Sequence, residues 1–118
     1  MSRRLRLTPL ASSLLALGLA ASAWAQGSPL SANRPEPFTT RTQFTVTLAR
    51  DANVEIGVFD ITGRLVTSLQ SGTLAAGAHE FTWRGMSSDG AKASAGVYFV
   101  RAASGGAVAT RKVVLASG

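Results

Sequence analysis

The sequence predicts an all-β fold, a small antiparallel sandwich. Apolar and polar residues alternate with a period of two in one segment after another beyond Phe38. Clusters of Gly, Asp, Asn and Ser separate those segments. No stretch after Ala25 sustains the apolar period of a helix. Short strands at this spacing, joined by turns, indicate two packed sheets.

The central element is a hairpin from Val54 to Leu69. Val54, Ile56 and Val58 alternate with Glu55, Gly57 and Phe59, as in a strand with one face buried. Asp60 opens a turn and Gly63 closes it. Asp at the first position and Gly at the fourth mark a type I turn, because the Asp side chain accepts a local backbone bond and Gly tolerates the positive φ on exit. Arg64 to Leu69 returns. Its apolar anchors, Val66 and Leu69, are three residues apart, a spacing that predicts a bulge or an early strand end.

Before the hairpin, Arg41 to Ala49 places Phe44, Val46 and Leu48 on one face and Gln43, Thr45 and Thr47 on the other. After it, Gln70 to Gly77 is expected to be a small-residue connection. In Ala78 to Trp83, His79 and Phe81 share a face with Trp83. Arg84 to Ala95 reads as a loop with an Asp89-Gly90 turn. In Gly96 to Ala103, Tyr98, Val100 and Ala102 oppose Val97, Phe99 and Arg101. Ser104-Gly105-Gly106 turns the chain into Val108 to Leu115. The expected core holds Phe44, Val46, Leu48, Val54, Ile56, Val58, Phe81, Trp83, Tyr98 and Val100. Each large side chain, once fully buried, contributes about 1.5–3 kcal/mol.

The chain has 118 residues, no cysteine and a net charge of +6. Disulfides and thiolate chemistry are therefore excluded. Arg3, Arg4 and Arg6 account for half of the charge; beyond Ala25, nine Lys or Arg face six Asp or Glu, a balance of +3. Those cations are scattered, whereas a nucleic-acid groove needs a clustered stripe. Met1 to Ala25 has the parts of a cleavable signal peptide: a basic start, an apolar run clearest from Leu14 to Ala21, and Ala23-Trp24-Ala25 at the cut. Thr8, Pro9, Ser12, Ser13 and Ser22 interrupt the run, which argues against a membrane span of about 20 apolar residues. The expected domains are 1–25 signal peptide, 26–37 linker and 38–118 sandwich. Gly27, Pro29, Pro35 and Pro37 suit a linker because proline donates nothing to a ladder. No stable membrane span is expected after cleavage, and the protein is expected to be exported.

No catalytic centre emerges. His79 is the one histidine. It lies in an alternating strand without the nucleophile and carboxylate that a triad needs. One histidine and no cysteine do not make a zinc site. Asp51, Asp60 and Asp89 are the candidates for a calcium site, but no dense oxygen-ligand loop is present and turn formation explains Asp60 and Asp89. Gly85, Gly90 and Gly96 do not form a phosphate loop. Trp83 and Tyr98 are either core or a stacking platform for sugars or bases, and alternation favours core. The chain is read as no enzyme, with no cofactor, no small-molecule substrate and no nucleic-acid partner.

Several short motifs stand in one order. They are Asp60-Ile61-Thr62-Gly63-Arg64, Ala76-Gly77-Ala78-His79 leading to Trp83, Asp89-Gly90, Ser94-Ala95-Gly96-Val97-Tyr98, and Arg111-Lys112-Val113-Val114-Leu115. In this order they resemble the Ig-like module of the flagellar hook-capping protein. More closely, they resemble the C-terminal type A sorting domain of the type IX secretion system. Pro35-Glu36-Pro37-Phe38 resembles the usual Pro-Asn-Pro-Phe opening, with Glu36 in place of Asn. Arg84 replaces the Asp usual after the Trp. The resemblance spans about Pro35 to Leu115. It implies a seven-stranded Ig-like β-sandwich without a catalytic site, read by outer-membrane secretion machinery or held by a cell-surface protein partner. The route it implies is through the periplasm to the cell surface or the medium. Carried over residue by residue, it implies turn roles for Asp60, Gly63 and Arg64, a strand start at Gly96 and Tyr98, and a possible recognition strand at Lys112. A sorting domain normally follows a cargo. Here residues 26 to about 34 alone separate the expected cut from the domain. Export of the domain alone, a remnant of a longer gene, and a stand-alone structural or adhesive module akin to the hook-cap scaffold therefore remain alternatives.

Overall fold

A computed structural model of the chain describes Trp24 and residues 29–117. Six strands form: β1 (Thr42–Leu48), β2 (Ala52–Asp60), β3 (Leu65–Leu74), β4 (Gly77–Trp83), β5 (Gly96–Ser104) and β6 (Ala107–Leu115). They pair antiparallel in two sheets, β1-β4 and β3-β2-β5-β6. The chain changes sheet between β1 and β2, between β3 and β4, and between β4 and β5. This is the all-β sandwich that the alternation predicts.

A further segment completes the small sheet. Ser31 N donates to Thr45 O, Thr47 N donates to Pro29 O, and Arg34 and Gln43 exchange both backbone bonds, all at 2.8–2.9 Å. Residues 29–34 thus run antiparallel along β1. The chain then crosses over, and Phe38 bridges Leu115 in parallel on the edge of β6. The expectation of a linker over 26–37 therefore needs correction from Pro29 onward. Prolines do not donate to a ladder, but a partner strand tolerates them at an edge, and Pro29 serves through its carbonyl. Leu30, only 2% exposed, drops its side chain into the core from this stretch. Of the expected signal peptide, only Trp24 lies within the described residues; it bridges Leu48 and is buried.

The hairpin shows how β2 and β3 resolve an awkward spacing. Register shifts fall between Ile56 and Gly57 and between Val58 and Phe59. Ile56 pairs with Gln70 while Gly57 pairs with Ser68, which leaves Leu69 as the extra residue; Val66 is extra between Thr67 and Leu65 in the same way. Each bulge resets the alternation by one. Val66 and Leu69, three apart, can then both pack against the core. The second arm is longer than expected. Residues Gln70 to Leu74 continue β3 rather than forming a loose connection, because Val54, Asn53 and Ala52 continue to offer partners.

The core lies between the sheets. Trp83 from the small sheet meets Tyr98 from the large one edge to face, with ring centroids 5.0 Å apart, and Phe38 meets Trp83 at 5.4 Å. Trp83 is 2% exposed, and its indole N–H donates to Met86 O at 3.0 Å. The Tyr98 hydroxyl donates to Ser94 O at 2.6 Å. Both rings therefore bury their apolar bodies with their polar atoms satisfied, and neither forms a stacking platform. Of the expected core, Phe81 alone is half-buried, stacked on Phe44 at 5.9 Å.

Replacing the ring that joins the sheets tests this packing. Trp83→Ala should cost about 3–5 kcal/mol, a large share of the 5–15 kcal/mol typical of a domain. Chemical denaturation should show the midpoint falling far below that of the parent. A variant that melts within a few degrees of the parent would place Trp83 outside the core.

Candidate functional site

Four of the motif residues meet at one end of the sandwich. Asp60 and Arg64 from the β2–β3 turn, Asp89 from the β4–β5 loop and Tyr98 near the start of β5 line one open cleft of about 470 Å³. Ser88 N donates to Val66 O at 3.1 Å and ties the loop to β3. The cleft is thus built by two turns leaning on the strand between them.

The chemistry of those turns is structural. Gly63 N donates to Asp60 O at 2.9 Å, and Gly63 has φ +88°, so a side chain there would be strained. Asp60 Oδ1 accepts from the Thr62 hydroxyl at 2.6 Å, the Thr62 amide at 2.9 Å and the Arg64 amide at 3.0 Å. Arg64 Nε lies 3.6 Å from Asp60 Oδ2, a solvent-exposed pair of small energetic weight. The Thr62 hydroxyl, then the Arg64 amide, hold the Asp60 carboxyl below its ordinary value. Asp89 repeats the device: the Ser87 hydroxyl first, then the Ala91 amide, lower its pKa, and Ser87 N donates to Ala91 O across the turn. A carboxylate that accepts bonds from its own turn is poorly placed to move protons for a substrate.

The remaining singled-out residues lie elsewhere. Asp51 sits at the other end of β2 from Asp60, where it accepts the Ala76 amide at 2.8 Å. The three aspartates imagined around calcium therefore do not converge. Among the described residues no group of three or more His, Cys, Asp or Glu is placed to hold a metal. Gly77 begins β4 near Asp51, and Gly90 and Gly96 lie in the loop and at the start of β5. His79 Nε2 is 2.7 Å from Ala75 O, a local turn contact. Trp83 is in the core.

Lys112 stands on β6, opposite Phe99. The Val114 amide donates to Glu36 Oε1 and its carbonyl accepts from Phe38 N, both at 3.0 Å. Both backbone groups of Val114 thus point away from β5. Strand periodicity turns those of Lys112, Thr110 and Val108 the same way. The crossover covers β6 at Val114 and leaves this lower edge open among the described residues. Sequence reasoning marks Lys112 but misses Glu36 as the edge cap; the signal is the carboxylate set between Pro35 and Pro37.

The turn geometry gives a pH dependence with a definite sign. A carboxyl whose pKa is lowered on folding contributes stability that is present above its unfolded value, 3.8, and is lost as pH falls through the folded value. Denaturant midpoints of the parent and Asp60→Asn should differ by a constant amount from about pH 5 to pH 7. The gap should close as pH drops below 3.8. A gap that persists unchanged at pH 2 would show that the Asp60 charge contributes nothing to the turn.

Comparison with known proteins adds to this geometry. A family model described as the FlgD Ig-like domain matches residues 32–107. Curated proteins give no significant match. Among solved structures, the chain is similar to dimeric latent PorU from Porphyromonas gingivalis, at 23% identity with a TM-score of 0.58. That match covers 79% of this chain and 10% of the PorU chain, and it carries the fold alone. With more than half of its residues matched and a two-sheet sandwich in place, the chain belongs to the FlgD Ig-like domain family.

Proposed function

We propose that the chain is an exported, non-enzymatic Ig-like module that serves as an address for outer-membrane secretion machinery of the type IX kind. The observation that carries this reading is the outward backbone edge of β6 at Val108, Thr110 and Lys112, which no described residue covers below the crossover's contact at Val114. An exposed edge offers backbone groups to a partner strand. Lys112, whose side chain is exposed beside that edge, adds a charge that favours an acidic partner. The ordered motifs shared with sorting domains support the same reading, as does the signal-like start of the chain. The route is to the periplasm and then to the cell surface or the medium. The turn-bound aspartates and the single strand histidine support a role without catalysis.

A second reading keeps the family and changes the role: a stand-alone structural or adhesive module akin to the hook-cap scaffold. The FlgD Ig-like match favours it equally.

Fusing Pro35 to Gly118 alone would discard the strand that Pro29 to Arg34 adds, so the reporter should be joined ahead of Gly27. In a host with type IX machinery, the fusion should reach the cell surface. Deleting Arg111 onward is a poor control, because Val113 and Leu115 are core residues and their loss would unfold the domain. Thr110→Pro removes an outward amide and Lys112→Glu reverses the edge charge; each should hold the reporter in the periplasm while the domain stays folded. Periplasmic retention of the intact, folded fusion would end the address reading in favour of the structural module.

A further inference from the structure

Around Phe59 the outer face of the four-stranded sheet is apolar and cationic, while Glu55, Ser68 and Ser71 stand elsewhere on the same face. In the cross-strand register one row reads Phe59, Phe99, Lys112, and the next reads Gly57, Arg101, Thr110. Four of the five large apolar side chains exposed among the described residues, Ile61, Leu65, Val97 and Val108, belong to this sheet or its hairpin turn. Ile61 and Leu65 stand beside Phe59, and an apolar patch of that kind is a mark of contact surfaces, whereas single exposed apolar residues such as Val97 and Val108, at opposite ends of the β5–β6 pair, are ordinary.

The face has a definite relief. A methyl group on Gly57 would lie 2.9 Å from Leu65 Cδ1 and 3.1 Å from Phe59 Cε1. The bare backbone at Gly57 is therefore what lets Leu65 and Phe59 lie low across β2. The Arg101 guanidinium stacks over Phe59, 4.0 Å from the ring centroid. On either side of Phe59 is a shallow hollow, of about 140 Å³ towards Leu65 and about 270 Å³ towards Ile61 and Phe99, and Arg101 borders both. The carboxylates lining the hollows are already engaged: Glu55 accepts from Ser71 Oγ at 3.1 Å, and Asp60 holds its turn. Neither Arg101 nor Lys112 has an ion-pair partner among the described residues.

We propose that this face docks an extended segment of a partner protein in which aliphatic side chains stand next to carboxylates. Aliphatic groups fill the hollows flanking Phe59. The carboxylates meet the free edge of the stacked Arg101 guanidinium and the Lys112 ammonium, and a planar guanidinium held by an aromatic ring is pre-ordered for that contact. A second copy of this chain fits poorly, since a two-fold contact would set Arg101 and Lys112 against their own kind. A bare polyanion leaves the apolar hollows unfilled. The proposal goes beyond the export reading and does not depend on it, because an address and a scaffold can both use such a face.

The test is selection of a random nine-residue peptide display library on the folded full chain, followed by fluorescence anisotropy with a recovered peptide. Recovered peptides should combine acidic and aliphatic residues. Arg101→Glu and Phe59→Ser should each weaken binding at least tenfold, and Thr45→Ala, on the other sheet, should leave it unchanged. The same peptide with its acids changed to amides should also bind at least tenfold more weakly. Near-UV circular dichroism of the buried Trp83 confirms that each variant is folded; should Phe59→Ser unfold, Arg101→Glu and the amide peptide decide the matter. Binding that survives Arg101→Glu in a folded chain overturns the proposal. So does a selection that yields no peptide, or sedimentation that shows a dimer broken by Arg101→Glu.

Discussion

The fold depends on one crossover. Between Pro29 and Phe38 the chain leaves the edge of β1 and joins the edge of β6, so a single segment binds both sheets. A small polar network fixes the crossing. Asn33 Nδ2 donates to Glu36 Oε1 at 2.9 Å and to Thr42 Oγ1 at 3.1 Å, and Thr42 Oγ1 donates to Pro35 O at 2.9 Å. Glu36 Oε1 also takes the Val114 amide. Asn33 and Thr42 are both buried, and a buried network of this kind rigidifies only when its members are satisfied. Leu30 enters the core before the crossing and Phe38 after it, beneath Trp83. Apolar burial on both sides holds the polar joint in place.

The same crossover shapes the edges. Residues 29–34 cover β1. The paired bulges at Val66 and Leu69 twist β3, which makes it a poor template for another strand. Glu36 and Phe38 cap β6 at Val114 and go no further. Among the described residues, the open edge at Val108, Thr110 and Lys112 is thus a consequence of where the crossover lands, and it lies beside the outer face that carries Phe59, Phe99 and Arg101.

Strand alternation made most of this readable. Phe44, Val46 and Leu48, or Tyr98, Val100 and Ala102, declare their buried face at once. The three-residue spacing of Val66 and Leu69 pointed to a bulge or an early strand end, and the strand continues through two bulges. The end of β3 was not legible, because Gln70, Ser71, Gly72 and Thr73 carry no apolar signal and form a strand only because β2 lies alongside. Residues 29–37 misled for a related reason. Their prolines describe a chain that cannot sit inside a sheet, and an edge needs no such thing; Leu30 alone hints at burial. Phe59 and Phe99 were placed opposite the core residues by their own alternation.

Hydrogen exchange in Phe38→Ala measures the crossover most directly. Removing the ring should cost about 3–5 kcal/mol if it is a core side chain. If the segment joins the sheets into one cooperative unit, amides of β1 and of β6 should lose protection together and by similar amounts. Loss confined to residues beside Phe38, with β1 and β6 exchanging as in the parent, would contradict the account.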